Sequence, residues 1–249
     1  MPESSALRAL NGFDVYRILA RLQCIFAYAV ERKRQEKLCE SRAFPVSKGK
    51  EVSLMRNVYD CVEAFGKLLD KEYHLVLGRK NKSVSLQINF DKKECFHLMG
   101  LQYLTDRPEL AHDRGKIFDA IRERRITAEQ IQSSDLYYKI ADRVDMFPLL
   151  ESMIDSNDTI FKYNRKLNAY SVIKADYIMK NNAEGRNIFL FLTENGEEGR
   201  YFCRSFFPQD KMDYTKNQAS WTLLYKKKVT LSTGEEEILY DRLKKVDKG

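Results

Sequence analysis

Three histidines, His74, His97 and His112, are the residues of this chain best suited to proton transfer near neutral pH. His97 stands out because it lies within residues 95–104, a predicted helix with apolar side chains almost all round it. A polar ring in that setting must either find a hydrogen-bond partner in the core or face a cleft. His74, at the start of a predicted strand, and His112, in a polar loop, are typical surface residues. His97 is therefore the candidate acid–base group, with a hydrogen-bonded core histidine as the alternative.

An arginine lies among aromatic residues in the second half of the chain. Residues 201–208 read Y-F-C-R-S-F-F-P, and period-two alternation predicts that Phe202, Arg204 and Phe206 share one face of a strand. A guanidinium on such a face can stabilise developing negative charge. It can equally extend its stem past apolar neighbours and place its charge in solvent. Both interpretations of Arg204 remain open at this point.

Further polar residues lie in and before the last long predicted strand. Alternation over residues 221–229 places Thr222 and Lys226 on one face, and the loop before this strand contains Tyr214 and Gln218. A polar loop at a sheet edge can present hydrogen-bonding groups to a ligand. The simpler interpretations are an ordinary polar connection for the loop and a solvated strand end for the lysine run that starts at Lys226.

Several reaction classes lose support because their motifs are missing. The sequence has no Walker A loop, no dinucleotide-binding glycine motif, no nucleophile elbow and no H-E-x-x-H zinc motif. Its five cysteines have no zinc-site or redox-pair spacing, and their odd number favours free thiols in a reducing compartment. We therefore expect no cofactor, no metal, no disulfide and a cytoplasmic location. The cysteines are Cys24, Cys39, Cys61, Cys95 and Cys203.

The balance of charge favours a polyanionic partner. The net charge is +7, and a basic surplus attracts nucleic acid through its phosphates. The charged run at residues 31–37 could contribute to this, although a solvated helix end is the simpler interpretation. The most apolar stretch, residues 15–30, contains Arg17 and Arg21, which are costly at the centre of a membrane span. We expect neither a membrane span nor a signal peptide.

The apolar periodicity predicts two regions. Residues 1–50 form an N-terminal helix (residues 13–39) and a linker (residues 40–50), and residues 51–249 form the main domain. Further helices are predicted at residues 52–71, 91–104, 113–124, 127–133 and 135–154. Asp91, three residues before Glu94, and Thr127, three residues before Gln130, are the predicted caps of two of them. Strands are predicted at residues 73–77, 83–90, 159–163, 171–180, 187–193, 200–206, 221–229 and 236–240.

These elements predict an α+β fold. Short turns connect several of the later strands, and short turns require antiparallel pairing. We therefore expect a helical N-terminal half packed on a four- to five-stranded antiparallel sheet. The strands at residues 171–180, 187–193, 200–206 and 221–229 are expected to be neighbours in that order.

Three segments together resemble a known family. Residues 96–104 read F-H-L-M-G-L-Q-Y-L, which resembles the F-H-L-x-G-L-x-Y-L helix of the fourth phage-associated barnase, EndoU, colicin and RelE-like nuclease family. Residues 201–208 and 222–226 fit the same pattern in the same order. The resemblance covers roughly residues 52–240. It implies helices packed on a four-stranded antiparallel sheet, and a metal-independent ribonuclease carried on phage or mobile elements.

The resemblance also implies roles for the residues singled out above. Such chemistry needs a base for the ribose 2′-OH proton, an acid for the leaving 5′-oxygen and a cation for the phosphorane charge. His97 would be the acid–base group and Arg204 the charge stabiliser, with Thr222 as a third member of the catalytic set. Gln218 would help orient the substrate.

The remaining substrate contacts and the partners follow from the same resemblance. Tyr214 belongs to the same polar set in the loop, and Lys226 would assist in binding the substrate. The expected partner is RNA, with tRNA and other single-stranded RNA as candidates, and an immunity or antitoxin protein is a second candidate partner. His97 and Arg204 can cooperate only if the helix packs against the face of the sheet that carries Arg204 and Thr222.

Two other functions fit the sequence. A non-catalytic nucleic-acid-binding or regulatory module would use the basic N-terminal helix and the cations Arg79, Lys80 and Lys82 of a predicted hairpin loop. A structural or interaction protein of a mobile element would use the long N-terminal helix for docking. Full burial of His97 with no groove beside it would favour binding without catalysis.

Overall fold

The computed structural model describes residues 56–156, 159–168 and 171–243. The predicted N-terminal helix, the linker and the cysteines Cys24 and Cys39 lie outside the described residues. Cys61, Cys95 and Cys203 are free thiols, and all three are buried.

Helices occupy the first half of the described chain. None of those in the described ranges is long and apolar enough to cross a membrane. They are α1 (Val58–Leu68), α2 (Lys92–Met99), α3 (Arg114–Arg122), α4 (Ala128–Gln132), α5 (Ala141–Met146) and α6 (Leu150–Asp155), with short 3₁₀ turns at Leu101–Tyr103, Pro108–Leu110, Tyr137–Lys139, Phe147–Leu149 and Arg165–Leu167.

Short polar side chains begin several of these helices by accepting hydrogen bonds from first-turn N–H groups that have no helical partner. Asn57 and Thr127 form capping boxes with Asp60 and Gln130. Asp91 begins α2 by accepting a hydrogen bond from the backbone N–H two residues on, at 2.8 Å. The predicted caps at Asp91 and Thr127 are thus confirmed.

Eight strands form a single sheet. They are β1 (Lys71–Arg79), β2 (Lys82–Ile88), β3 (Thr159–Lys162), β4 (Tyr177–Ala183), β5 (Arg186–Glu194), β6 (Arg200–Pro208), β7 (Ala219–Thr230) and β8 (Glu236–Asp241). Their order is β1-β2-β6-β5-β4-β3-β7-β8, and an additional pairing of β1 with β7 closes seven of them into a barrel. All pairs are antiparallel except β2 and β6, which run parallel with Gln87 opposite Arg200.

The predicted fold class, a helical half on a four- to five-stranded antiparallel sheet, is therefore wrong. The described residues form a closed, mixed seven-stranded barrel with an eighth strand on β7. Strands β4, β5 and β6 are neighbours in the predicted order, but β6 then pairs with β2 instead of β7. Turn chemistry reveals which neighbouring strands form hairpins, whereas the β2–β6 and β1–β7 pairs join residues far apart in the chain.

The main core lies between the helices and one face of the sheet. Alternate residues of β1 (Tyr73, Leu75 and Leu77) share this core with apolar side chains from all six helices. The same cluster takes alternate residues of β5, beginning with Ile188. Burial of this continuous apolar surface is the main driving force for folding.

A second apolar cluster covers the opposite face of the sheet at β5. Phe189 and Phe191 are fully buried there with Ile178 and Tyr163, and Phe207 and Tyr214 pack against them. Strand β5 is therefore buried on both faces, which explains its uninterrupted apolar run at residues 188–192. Residues 171–176, predicted as strand, instead precede β4 and contribute Ile173 and Ala175 to this outer cluster.

A β-bulge in β6 changes the predicted faces of that strand. Phe191 pairs with Ser205 and Leu192 pairs with Cys203, so Arg204 is the extra residue. Because the alternation breaks there, Cys203 and Phe206 are both buried while Arg204 is exposed. The prediction that Arg204 shares a face with Phe206 is therefore wrong.

Gly100 ends α2 in the left-handed conformation, with φ of +85°. A Cβ atom at this position would lie 3.0 Å from Arg143 Cδ and 3.0 Å from Ile140 Cγ2. A glycine is thus required both by the backbone conformation and by the close packing of α5.

We predict that Gly100→Ala lowers the free energy of unfolding by roughly 1–3 kcal/mol, because alanine is strained at positive φ and crowds α5. Urea denaturation at neutral pH measures this. Gly66→Ala is the matched control, since Gly66 lies inside α1 with no atom within 4 Å of an added Cβ. That variant should gain about 1 kcal/mol from helix propensity. Equal stability of the two variants would contradict the prediction.

Candidate active site

The end of α2 places His97 at the surface of the main core. Cys95, Leu98 and Met99 of this helix are buried, whereas His97 is half-buried. The ring of Phe96 meets the His97 ring edge to face, with 5.6 Å between centroids. The imidazole is therefore held against the core on one side and accessible on the other.

Two arginines and a glutamine lie near enough to the imidazole to change its pKa. Burial lowers the pKa of His97, and the positive charges of Arg114 and Arg204 lower it further. Contact with the side chain of Gln102 partly offsets this by favouring the protonated ring. Below we call His97, Gln102, Arg114 and Arg204 the His97 cluster. Its imidazole is mostly neutral at pH 7, since its pKa lies below the ordinary value of 6.5.

The two arginines reach the cluster from different elements. Arg204 is the extra residue of the β6 bulge, and Arg114 is the first residue of α3, with its guanidinium 6.0 Å from the centre of the Phe96 ring. Both side chains are exposed, and none of the ion pairs between described residues involves either one. Two guanidiniums beside a neutral imidazole form a site that attracts an anion.

A carboxyl group joins α2 to β6 beneath this cluster. Glu94 Oε2 accepts a hydrogen bond from the backbone N–H of Cys203 at 3.3 Å, next to the bulge. Burial raises the pKa of Glu94 to about 8. The carboxyl is therefore mostly protonated at neutral pH, and it links the helix that carries His97 to the strand that carries Arg204.

A third arginine lies beside the cluster. The Arg143 guanidinium is 5.2 Å from the centre of the Tyr103 ring and 5.0 Å from that of Phe207. Its Nη1 donates to the Phe206 carbonyl at 3.1 Å. Tyr214 completes this group, with its ring centroid 5.4 Å from that of Phe207.

The structure brings together only some of the predicted site residues. His97 and Arg204 lie in one cluster, and Tyr214 belongs to the neighbouring aromatic group. Thr222 is exposed on β7 opposite Gly78 of β1. In the sheet, β1 and β2 lie between β7 and β6. The three strand spacings from β7 to β6 amount to about 14 Å. Thr222 is therefore not part of the His97 cluster.

Gln218 and Lys226 have structural contacts. The Gln218 side chain accepts from the Asn164 N–H at 2.8 Å and donates to the Asn164 carbonyl at 3.1 Å, so both ends of its amide are used. Lys226 is 0% exposed, and its ammonium donates to the carbonyls of Ile154 and Ser156 at the end of α6. The solvated strand end predicted for Lys226 is therefore wrong.

Sequence reasoning missed Arg114, Gln102 and Arg143. Gln102 lies inside the F-H-L-M-G-L-Q-Y-L segment, and its position five residues after His97 was the available signal. Arg114 and Arg143 are arginines on amphipathic helices, where solvent exposure is the usual interpretation. Only the packing of α3 and α5 against α2 distinguishes them.

A second group of polar side chains contains His74, but unlike the His97 cluster it is centred on a carboxylate. Glu72 accepts hydrogen bonds from Gln87 and Asn89, each at 2.6 Å, and contacts His74 at 2.5 Å. The nearby Lys227 pairs with Glu236, so the group has no excess positive charge to hold a phosphate. The described residues contain no group of three or more His, Cys, Asp and Glu side chains arranged to hold a metal ion.

Comparison with known proteins gives one match. The family model described as phage-Barnase-EndoU-ColicinE5/D-RelE like nuclease4 matches residues 57–243, which include every described helix and strand. This confirms the resemblance inferred from the sequence. No curated protein and no solved structure matches the chain.

We predict that Arg114→Gln raises the pKa of His97, because the change removes a positive charge that disfavours the imidazolium. An NMR titration of the three imidazole rings, assigned with single histidine variants, measures this. Arg122→Gln, at the other end of α3, is the control and should leave the His97 pKa unchanged. An unchanged pKa in Arg114→Gln would show that Arg114 does not act on His97.

A second prediction concerns Glu94, whose folded pKa of about 8 lies above its ordinary value of 4.5. Between these two values the unfolded chain loses a proton that the folded protein keeps, so ionisation favours unfolding increasingly as the pH rises. Glu94→Gln cannot ionise and its amide oxygen can still accept from Cys203. Its stability relative to wild type should rise between pH 4.5 and 8, by on the order of 4 kcal/mol.

Urea denaturation across that pH range tests the Glu94 prediction. Glu63→Gln is the control, since Glu63 is exposed on α1 in an i,i+4 pair with Lys67. An exposed pair of this kind contributes at most about 1 kcal/mol, so its variant should follow the wild-type pH dependence. A Glu94→Gln variant that also follows it would contradict the prediction.

Proposed function

We propose that this chain, which belongs to the phage-Barnase-EndoU-ColicinE5/D-RelE like nuclease4 family, is a metal-independent endoribonuclease that acts at the His97 cluster. Membership of a nuclease family supports phosphodiester cleavage as the reaction. The choice of RNA and of a metal-free mechanism rests on the side chains of the cluster.

The observation that carries the proposal is a neutral imidazole beside two guanidiniums. The lowered pKa of His97 favours the unprotonated ring near pH 7, as a general base requires. Arg114 and Arg204 are exposed, and the described ion pairs do not include them. Two guanidiniums can bind a phosphate and stabilise the extra charge of a phosphorane. In this mechanism they supply the positive charge that a metal ion supplies in other nucleases.

The reaction follows from these roles. His97 takes the proton of the ribose 2′-OH, and the 2′-oxygen forms a bond to phosphorus. The bond from phosphorus to the 5′-oxygen breaks, and that oxygen takes a proton from water or from the imidazolium just formed. The product ends are a 2′,3′-cyclic phosphate and a 5′-hydroxyl. Because the nucleophile is the 2′-OH, DNA is not a substrate of this mechanism.

A non-catalytic nucleic-acid-binding module is the second candidate function. The exposed cations Arg79, Lys80 and Lys82 at the β1–β2 turn favour it, since they can contact phosphates far from the His97 cluster. This function needs no neutral imidazole beside the arginines, and His97 is half-buried at the surface instead of fully enclosed. The nuclease is therefore the function that the cluster supports better.

We predict that His97→Ala and Arg204→Ala each reduce RNA cleavage by roughly 10²-fold or more, since they remove a general base and an electrostatic stabiliser. Cleavage by the wild-type protein should persist in EDTA and leave 2′,3′-cyclic phosphate or 3′-phosphate ends. Labelled single-stranded RNA and mass spectrometry of the products measure both. His112→Ala, in an exposed loop, is the matched control and should cleave normally.

Melting temperatures of the same variants separate catalysis from folding. A folded His97→Ala protein with wild-type cleavage would refute the assignment of His97. Activity that is lost in EDTA and restored by Mg²⁺ would refute the metal-free mechanism. Wild-type protein that binds RNA without cleaving it would favour the binding module.

A further inference from the structure

The aromatic group beside the His97 cluster contains a cation with unused hydrogen-bonding capacity. We call Arg143, Tyr103, Phe207 and Tyr214 the Arg143 cluster. A guanidinium has five N–H donors. One of them donates to the Phe206 carbonyl at 3.1 Å, and the Tyr103 side chain also contacts the guanidinium. Donors therefore remain for a ligand.

Among the described residues, no acidic side chain forms an ion pair with this guanidinium. The ion pairs among the described residues do not include Arg143, and burial lowers its pKa. The rings of Tyr103 and Phe207 face it at 5.2 Å and 5.0 Å. A half-buried charge held by aromatic rings and one carbonyl is costly unless something else accepts its remaining hydrogen bonds.

The turn at Gly100 connects the two clusters. Gly100 separates His97 from Tyr103, and a Cβ on this glycine would contact both Arg143 and Tyr103. On β6, the carbonyl that Arg143 binds belongs to Phe206, two residues after Arg204. A group attached to a phosphate in the His97 cluster would therefore lie next to the Arg143 cluster.

We propose that the Arg143 cluster is a nucleobase-binding subsite that selects guanine next to the scissile phosphate. This inference rests on the proposed function, because it takes the His97 cluster as the phosphate site. Tyr103 is 42% exposed, so its ring offers a surface on which a base can stack. Arg143 supplies the hydrogen bonds to the edge of the stacked base.

The chemistry of the guanidinium decides which base fits. Guanine presents two acceptors, O6 and N7, on one edge, and a guanidinium binds them with two parallel hydrogen bonds. Adenine presents a donor in place of O6, so one of these bonds is lost. A purine also covers more of the Tyr103 ring than a pyrimidine does. The base must be unpaired to stack on a side chain, which makes single-stranded RNA the substrate class.

The test uses 2′-deoxy oligonucleotides with a single ribonucleotide, which fixes the cleavage site. The base is guanine, adenine or absent, at the ribonucleotide in one series and at the following nucleotide in a second. Cleavage by the full chain gives kcat/KM, and fluorescence anisotropy of all-deoxy versions gives affinity. We expect guanine to exceed adenine by roughly 10-fold in one series, as for a bidentate contact. The abasic oligonucleotide should be the poorest ligand.

Two variants assign the preference to this cluster. Arg143→Lys removes the planar fork and keeps the charge, so guanine and adenine should become equivalent within roughly twofold. Tyr103→Leu should weaken both purines toward the abasic level, because it removes the stacking surface. Arg124→Lys is the matched control. Arg124 also lies over a tyrosine, with its guanidinium 4.4 Å from the centre of the Tyr59 ring, but belongs to neither cluster.

The outcomes separate this inference from the proposed function. Equal kcat/KM and affinity for guanine and adenine in both series would refute the subsite, and so would a preference that survives in folded Arg143→Lys. If Arg143→Lys does not fold, the Tyr103→Leu result decides, and unchanged purine binding refutes the subsite. A wild-type protein that prefers guanine in binding but cleaves nothing would refute the nuclease and support the subsite.

Discussion

The seam between β2 and β6 is the contact on which the candidate site depends. The Asn89 N–H donates to the Tyr201 carbonyl at 3.2 Å, and this is where β2 ends and the chain turns into α2. Two residues further along the same edge of β6, the N–H of Cys203 donates to the Glu94 side chain instead of to a strand. A helix side chain thus continues the hydrogen bonding of the parallel pair. This continuation fixes the position of His97 relative to Arg204, although the two residues belong to different halves of the chain.

The same seam explains why the bulge lies where it does. Beyond Cys203 the edge of β6 that faced β2 meets a helix, so regular pairing is no longer required on that side. An extra residue can be accommodated there without breaking a second ladder. The bulge turns Arg204 outward while Cys203 and Phe206 both stay in the main core. Local departure from strand geometry places a cation at the edge of the α2–β6 contact.

Much of this could be predicted from the sequence, and the remainder has a physical cause. The caps at Asp91 and Thr127 and the β4–β5–β6 order depend on local chemistry, and the sequence predicts them correctly. The alternation that placed Arg204 beside Phe206 failed because a bulge leaves no clear trace in composition. Burial of Lys226 was missed because its partners, backbone carbonyls at the end of α6, exist only in the folded chain. The barrel closure was missed because pairing partners far apart in sequence carry no local signal.

For the candidate site, the sequence indicates which residue types could do chemistry, but it does not indicate which of them lie close together in the fold. His97 is a candidate from the sequence because a polar ring is unusual on an apolar helix, and the structure places it at the edge of the core. Arg114 and Arg143 look like any solvated arginine until α3 and α5 pack against α2. Thr222 was grouped with Arg204 on a sheet of four or five strands. The insertion of β1 and β2 between β7 and β6 separates these two residues.

The protonation states of Glu94 and His97, both on α2, support each other. Glu94 precedes His97 by one helical turn, and burial keeps its carboxyl mostly protonated at neutral pH. A neutral carboxyl does not cancel the charge of Arg114 and Arg204, so their field continues to lower the pKa of His97. In the proposed mechanism, the neutral carboxyl of Glu94 leaves the site positive while His97 stays unprotonated for proton abstraction beside a bound phosphate.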